Sequence, residues 1–195
     1  MKAPKTTEEL LTTFRAEIRK TKSLTNKPFG MPVVVSYDFS TIDLMVDLLI
    51  EEEEQVPIAL INGIEGYDYQ PMMAKFKSAG TKTIFRPTTP TIENARYAEE
   101  IGADIFVATG FDEGGTVPEN VIGTFSIVPQ IADAINIPML AAGGIADIRT
   151  VRASFALGAE GVFAGTVFLA TQENRMHPQV KQMLIDYSAQ DFIKN

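Results

Sequence analysis

"IPMLAAGGIADIRTVRASFALGAEGVFAGT", residues 137–166, contains two short apolar runs, each closing on a glycine-bearing turn. The runs "IPMLAAG" (137–143) and "EGVFAGT" (160–166) have the length and composition of buried strands. Between them, "VRASFALGAEG" has helical spacing and stops at Gly158, since glycine is common just past a helix C-terminus. Strand, helix and strand in this order make a βαβ unit, and the strands of such a unit run parallel.

The same alternation extends towards the N-terminus. Further strand-like runs are "MPVVVSY" (31–37), "VPIALIN" (56–62), "TKTIFRP" (81–87) and "ADIFVAT" (103–109). "TIDLMVDLLIEEEE" places Ile42, Met45, Val46 and Leu49 on one helical stripe, and "TIENARYAEEIGAD" does so with Ile92, Ala95, Ala98 and Ile101 before Gly102. Thr6 followed by Glu9 reads as a capping box that starts the first helix. No linker or low-complexity segment interrupts residues 1–195, so a single α/β domain with a parallel sheet is expected.

Parallel sheets admit two main architectures. A doubly wound sheet carries its glycine fingerprint at the first βα turn. Here the glycine-rich turns follow the last two strands, as the phosphate site of a (β/α)₈ barrel does. Gly143, Gly144, Gly165 and Thr166 then offer backbone N–H groups to a phosphate. Tight turns with no ligand would also use glycine. Six strands are two short of a closed barrel, so the expected fold is an incomplete TIM-type (β/α) barrel of about six of eight units. Its two open edges call for an oligomer, a dimer in the simplest case.

Composition narrows the partners. A net charge of -8 gives no Lys/Arg surplus for gripping nucleic acid. The chain has no Cys, which removes disulfides and thiolate chemistry. No apolar run is long enough for a bilayer and no secretory leader is evident, so a cytoplasmic protein without membrane contact is expected.

"KPFG" (27–30), "GADIFVATGFDEGG" (102–115) and "IPMLAAGGIADIRTVRASFALGAEGVFAGTVFLAT" (137–171) resemble the nitronate monooxygenase family, formerly 2-nitropropane dioxygenase, which includes FMN-dependent enoyl-ACP reductases. The resemblance covers roughly residues 8 to 185. It implies a (β/α)₈ barrel with FMN at the C-terminal ends of the strands. The FMN phosphate would lie on Ala142, Gly143, Gly144, Gly165 and Thr166, with Gly114 and Gly115 also at the cofactor.

Three departures stand out. The family opens with two strands and a Gln-Gly-Gly-Met-type segment, whereas this sequence starts at what would be the helix after the second strand. The family's Glu-Ala/Ser-Gly-Gly-His motif is here Asp112-Glu113-Gly114-Gly115-Thr116, so Thr116 stands where histidine serves as base. A threonine hydroxyl is too weakly basic for that task; Glu113 or Asp112 can serve if burial raises its pKa, and otherwise both read as solvated loop residues. Pro32 replaces an asparagine near the flavin and removes an amide donor and acceptor.

Three functions stay open on the sequence. One is an FMN-dependent oxidoreductase acting on a nitronate, nitroalkane or enoyl-type small molecule, with Thr116 and Glu113 as the catalytic candidates. A second is a catalytically degenerate member serving as a binding or assembly module. The third is a barrel enzyme of aldolase or isomerase type that uses the phosphate site, though no lysine lies at a convincing strand end. No metal site is expected. The lone His177, before Pro178, reads as a helix cap, "EEEE" (51–54) as a solvated helix end, and Met72 and Met73 as core. Arg86 and Asn62 fall at predicted strand ends, the functional face of a barrel. Arg149, just past the glycine turn, is placed to neutralise a phosphate or to sit on the surface.

Overall fold

All six apolar runs are strands in the computed structural model, which describes residues 6–34, 41–51, 53–64, 66–115 and 119–191. Helix α1 (Thr7–Leu24) leads into β1 (Gly30–Val34), α2 (Ile42–Ile50), β2 (Ile58–Gly63), α3 (Gln70–Ala79) and β3 (Lys82–Pro87). Then come α4 (Ile92–Glu100), β4 (Ile105–Thr109), α5 (Thr124–Ala132), β5 (Met139–Ala142), α6 (Ile148–Ala156) and β6 (Gly161–Phe163). Two short helices, α7 (Thr166–Leu169) and α8 (Pro178–Asp186), follow. The strands are parallel and pair in chain order, β1-β2-β3-β4-β5-β6.

Sequential order decides the shape. Crossovers between neighbouring parallel strands favour one hand, the right, and crossovers of one hand in sequential order put the helices on one face of the sheet. The strands twist and the sheet curls around its helix-free face, giving a half-barrel: the TIM-type architecture, incomplete. On the helix side, Ala59, Ile61, Phe85, Phe106, Ala108, Met139 and Ala141 are buried against Leu49, Met72, Met73, Phe76, Ala95, Ala98, Ile127 and Ile131. Tyr69 meets Phe85 edge-on at 5.0 Å, and Phe85 stacks near Phe106 at 6.5 Å, so aromatic rings tie α3 to the sheet. The helix-free face carries Leu60, Ile84, Leu140 and Phe163, which are half-buried, around Val107, which is fully buried.

Local signals work as the sequence implied. Thr6 accepts from the Glu9 N–H at 3.1 Å and starts α1. Thr91 and Asn94 form a reciprocal cap on α4, which ends just before Gly102. His177 caps α8 by accepting from the Gln179 N–H.

The acidic run differs from its reading as a solvated end. Glu54 is 1% exposed and meets the Arg19 Nε at 2.5 Å, with Arg15 at 3.8 Å. Helical periodicity misplaced it because α2 stops at Ile50 and the chain then folds back under α1. Glu51 and Glu53 remain at the surface and pair with the same two arginines. These ion pairs fasten α1 to the α2–β2 loop. At the other end, Arg175 donates to Glu17 of α1 at 2.9 Å, so the two ends of the helix layer touch. β1 and β6 nonetheless carry no outer strand among the described residues. Pro32 lies on β1, an edge strand, where a missing N–H is tolerated.

Candidate active site at the carboxyl ends of the strands

The glycine turn after β5 is shaped by its neighbours. Gly143 has φ +97°, and a Cβ there would lie 2.7 Å from the Thr124 Oγ1 and 2.8 Å from the Gly110 carbonyl oxygen. Only glycine fits that backbone and that space. Thr124, the first residue of α5, locks the arrangement. Its hydroxyl lies within hydrogen-bond reach of the Gly143 and Ala142 carbonyls, at 3.0 and 3.3 Å, and its N–H donates to the Asp112 carboxylate at 2.6 Å. The Gly110 N–H donates to the Ala142 carbonyl at 2.9 Å. The turns after β4 and β5 are therefore one packed unit, with α5 as its clamp. A cavity of about 190 Å³ lies beside it, lined in part by Asp112, Phe125, Gly144 and Leu157.

The predicted cofactor residues come together in this unit. The Asp112 Cβ lies 3.4 Å from where a Gly144 Cβ would stand, and the Thr166 Oγ1 lies 3.0 Å from that of Gly114. Open space surrounds Gly165 and Gly115. Among the described residues, no hydrogen bond is donated by the N–H groups of Gly143, Gly144, Ile145, Gly165 or Thr166. Those groups sit on the adjacent turns after β5 and β6, which suits an anion with several oxygens. Arg149 is not among them: it is exposed and pairs with Asp147, whose pKa it holds down to about 2. Asp147 also caps α6, so the cap and the arginine neutralise each other.

Glu113 lies in an ion pair. The Arg86 guanidinium, at the end of β3, donates to its Oε2 at 2.5 Å, with side chains 18% and 11% exposed respectively. Arg86 also stands 5.7 Å from the centre of the Phe163 ring on β6. Burial pushes the Glu113 pKa above the ordinary carboxylate value, against the opposing pull of Arg86. The Arg86 Nε, the Glu113 Oε1 and the Thr109 Oγ1 are all buried and without a partner among the described residues. Thr116 lies outside the described residues. Asp112 is exposed, so the burial that the base role called for is missing, and one of its oxygens accepts from the Thr124 N–H.

Sequence reasoning missed two parts of this site. Thr124 starts a helix that the periodicity did not single out, and Thr109 is an ordinary strand residue by type. Position was the available signal, since Thr109 is the last residue of β4, just before Gly110. Asn62, next to last in β2, lies on the same helix-free face, opposite Arg86 in the register.

A family model for nitronate monooxygenase matches residues 6–193. The chain is 37% identical over 184 residues to a Rhodococcus jostii (strain RHA1) enzyme, (3aS,4S,5R,7aS)-5-hydroxy-7a-methyl-1-oxo-octahydro-1H-indene-4-carboxyl-CoA dehydrogenase, covering 92% of this chain and 48% of that protein. It is 33% identical over 215 residues to a probable nitronate monooxygenase of Staphylococcus haemolyticus, covering 91% of this chain and 60% of that protein. The solved structure of FabK from Thermotoga maritima superposes with a TM-score of 0.81 at 34% identity, over 94% of this chain and 54% of that one. The chain thus spans about half the length of the relatives it matches.

Proposed function

This chain belongs to the nitronate monooxygenase family, and on that premise we propose that it is an FMN-dependent oxidoreductase acting on a small carbon acid. The observation that carries this reading is the set of unused N–H groups on the adjacent turns after β5 and β6. Gly143, Gly144, Gly165 and Thr166 would hold the FMN phosphate. Ala142 would set the turn through its occupied carbonyl, and Gly114 and Gly115 would pass beside the cofactor. When bound, FMN supplies the electron transfer.

The residues of the chain supply position and a proton acceptor. Thr116 stands at the histidine position and cannot act as a base near neutral pH. Glu113 takes that role through its Oε1, the oxygen not engaged by Arg86. The substrate class follows from the relatives, whose names span nitronate oxidation and the dehydrogenation of a carboxyl-CoA. We take as the common feature a carbon beside an electron-withdrawing group that carries oxygen, a nitro group in one case and a carbonyl in the other. An enoyl-type substrate fits the same description.

Titration with FMN tests the proposal. Binding shifts the flavin absorbance and raises the melting temperature, by about 2.7 kcal/mol of added stability at a hundredfold excess over Kd. A protein that neither perturbs the flavin nor gains stability is the degenerate binding module instead. In turnover, anionic nitronates should react faster than neutral nitroalkanes, which still need a proton removed. Rapid oxidation of neutral nitroalkanes, unchanged in Glu113→Ala, overturns the role given to Glu113.

We also infer a cytoplasmic oligomer, a dimer in its simplest form. Support comes from the C-terminal third: neither α7 nor α8 has a buried residue, and Phe168, Met183 and Ile185 are exposed by 61%, 48% and 63%. A second copy over this face would shield them.

A further inference from the structure

Beside the glycine turns sits the Arg86–Glu113 pair, which the phosphate site does not use. Its two ends are unequal. One oxygen of Glu113 accepts from the Arg86 Nη2, while the Glu113 Oε1 and the Arg86 Nε are buried without partners. A buried donor and a buried acceptor left open within one ion pair cost stability unless something fills them. Phe163 lies beside the guanidinium and limits where it can swing. The other carboxylate nearby, Asp112, is spent on the Thr124 N–H. Among the described residues no other charged group faces Glu113.

We propose that Arg86 is the substrate-orienting residue of this site, binding through its free Nε–H the oxygen of a nitro or carbonyl group whose α-carbon faces the Glu113 Oε1. This rests on the proposed substrate class but not on the flavin. A planar carbon acid supplies both missing partners: an oxygen that accepts and an α-hydrogen that is acidic. In the step, the α-C–H bond breaks and its proton bonds to the Glu113 Oε1. The electron pair of that bond moves into the C=N or C=C bond, and the oxygen takes the charge. That oxygen is the one held by Arg86. A positioned donor aimed at a developing oxyanion typically contributes about 10²–10³-fold. Reversal with a solvent proton restores the substrate, so the step needs no oxidant.

Hydrogen–deuterium exchange therefore tests it without turnover. The purified full chain is incubated with nitroethane in D₂O, and loss of the α-proton signal is followed by NMR across pH. The expected result is exchange above the buffer rate, falling by about 10²–10⁴-fold in Glu113→Gln. In Arg86→Met the rate falls by about 10²–10³-fold, and its acid limb moves to higher pH because the charge that held the Glu113 pKa down is gone. Arg86→Lys keeps the charge but not the forked donor, so its limb stays near that of the parent while its rate falls. A purely structural Arg86 would lower the yield of folded protein and move the limb in Arg86→Met, but leave the plateau rate per folded molecule at the parent value. If Arg86→Met does not fold, Arg86→Lys decides. No exchange by the parent chain, or an unchanged plateau rate in the Arg86 variants, overturns the proposal. FMN binding measured on the same sample separates the two readings. Exchange without FMN binding leaves this inference standing and removes the flavin; FMN binding without exchange does the reverse.

Discussion

The Thr124 hydroxyl sits 3.0 Å from the Gly143 carbonyl oxygen, and a side chain on Gly143 would run into that same hydroxyl. The glycine turn is thus tight because α5 presses on it, quite apart from any ligand. Gly143→Ala should destabilise the protein by about 1–3 kcal/mol, through positive φ and overpacking together. Gly165→Ala, in open space at φ −115°, should leave the melting temperature within a degree or two. Denaturant melts of the two variants check the contrast, and equal losses would place the structural constraint elsewhere.

The unused donors predict a different split in ligand binding. Thr166→Pro deletes one N–H at the turn after β6 and should weaken FMN by about tenfold, roughly the worth of one hydrogen bond to a charged group. Arg149→Ala should change FMN affinity little, because Arg149 is already paired with Asp147. Fluorescence titration of flavin quenching measures both.

Arg19 and Glu54 predict an asymmetry. Removing Arg19 leaves the Glu54 carboxylate buried, with only Arg15 at 3.8 Å. Arg19→Ala should cost about 1.5–3 kcal/mol, the scale of a hydrogen bond to a charge. Glu54→Met removes the buried charge and leaves two arginines that already reach solvent and keep Glu51 and Glu53 as partners, so it should cost less. Urea unfolding of each variant, with equal midpoints as the disconfirming result, decides it.

Acid stability should depend on Asp104. Burial pushes its pKa up, but the Lys82 ammonium at 2.7 Å and the Thr83 N–H at 2.8 Å outweigh that, and the net shift is downward. A lowered folded-state pKa contributes stability above the unfolded value, near 3.9, and loses it as pH falls through the folded value. Asp104→Asn should therefore flatten the drop in melting temperature between pH 5 and pH 2, while lowering it at pH 7. A parallel drop in both proteins would assign the acid sensitivity to other carboxylates.

The exposed apolar residues on α7 and α8 predict self-association. Sedimentation should show a dimer or larger species, shifted towards monomer by Phe168→Glu and Ile185→Glu. Only monomer at high concentration would falsify the covered-face reading.

Residues 137–166 alone determined the class of fold: two apolar runs, a helix between them and glycine after each require parallel strands with a crossover, and repetition upstream extends the sheet. The glycine turns after β5 and β6 were legible for the same reason, since a tight βα turn needs only glycine at a known place in the unit. Charge chemistry was not legible. Glu54 and Glu113 carry the same side chain in acidic or polar stretches, and the sequence read the first as solvated. It was folded into the interior by a loop that brings Arg19, thirty-five positions away, onto its carboxylate. Glu113 owes its state to Arg86 on the neighbouring strand end, twenty-seven positions back. Periodicity reports which face of an element is apolar, because neighbours along the chain fix that. Whether a carboxylate is buried, paired or left with an open oxygen depends on residues that only tertiary packing brings within 3 Å, and that information has no period in the sequence.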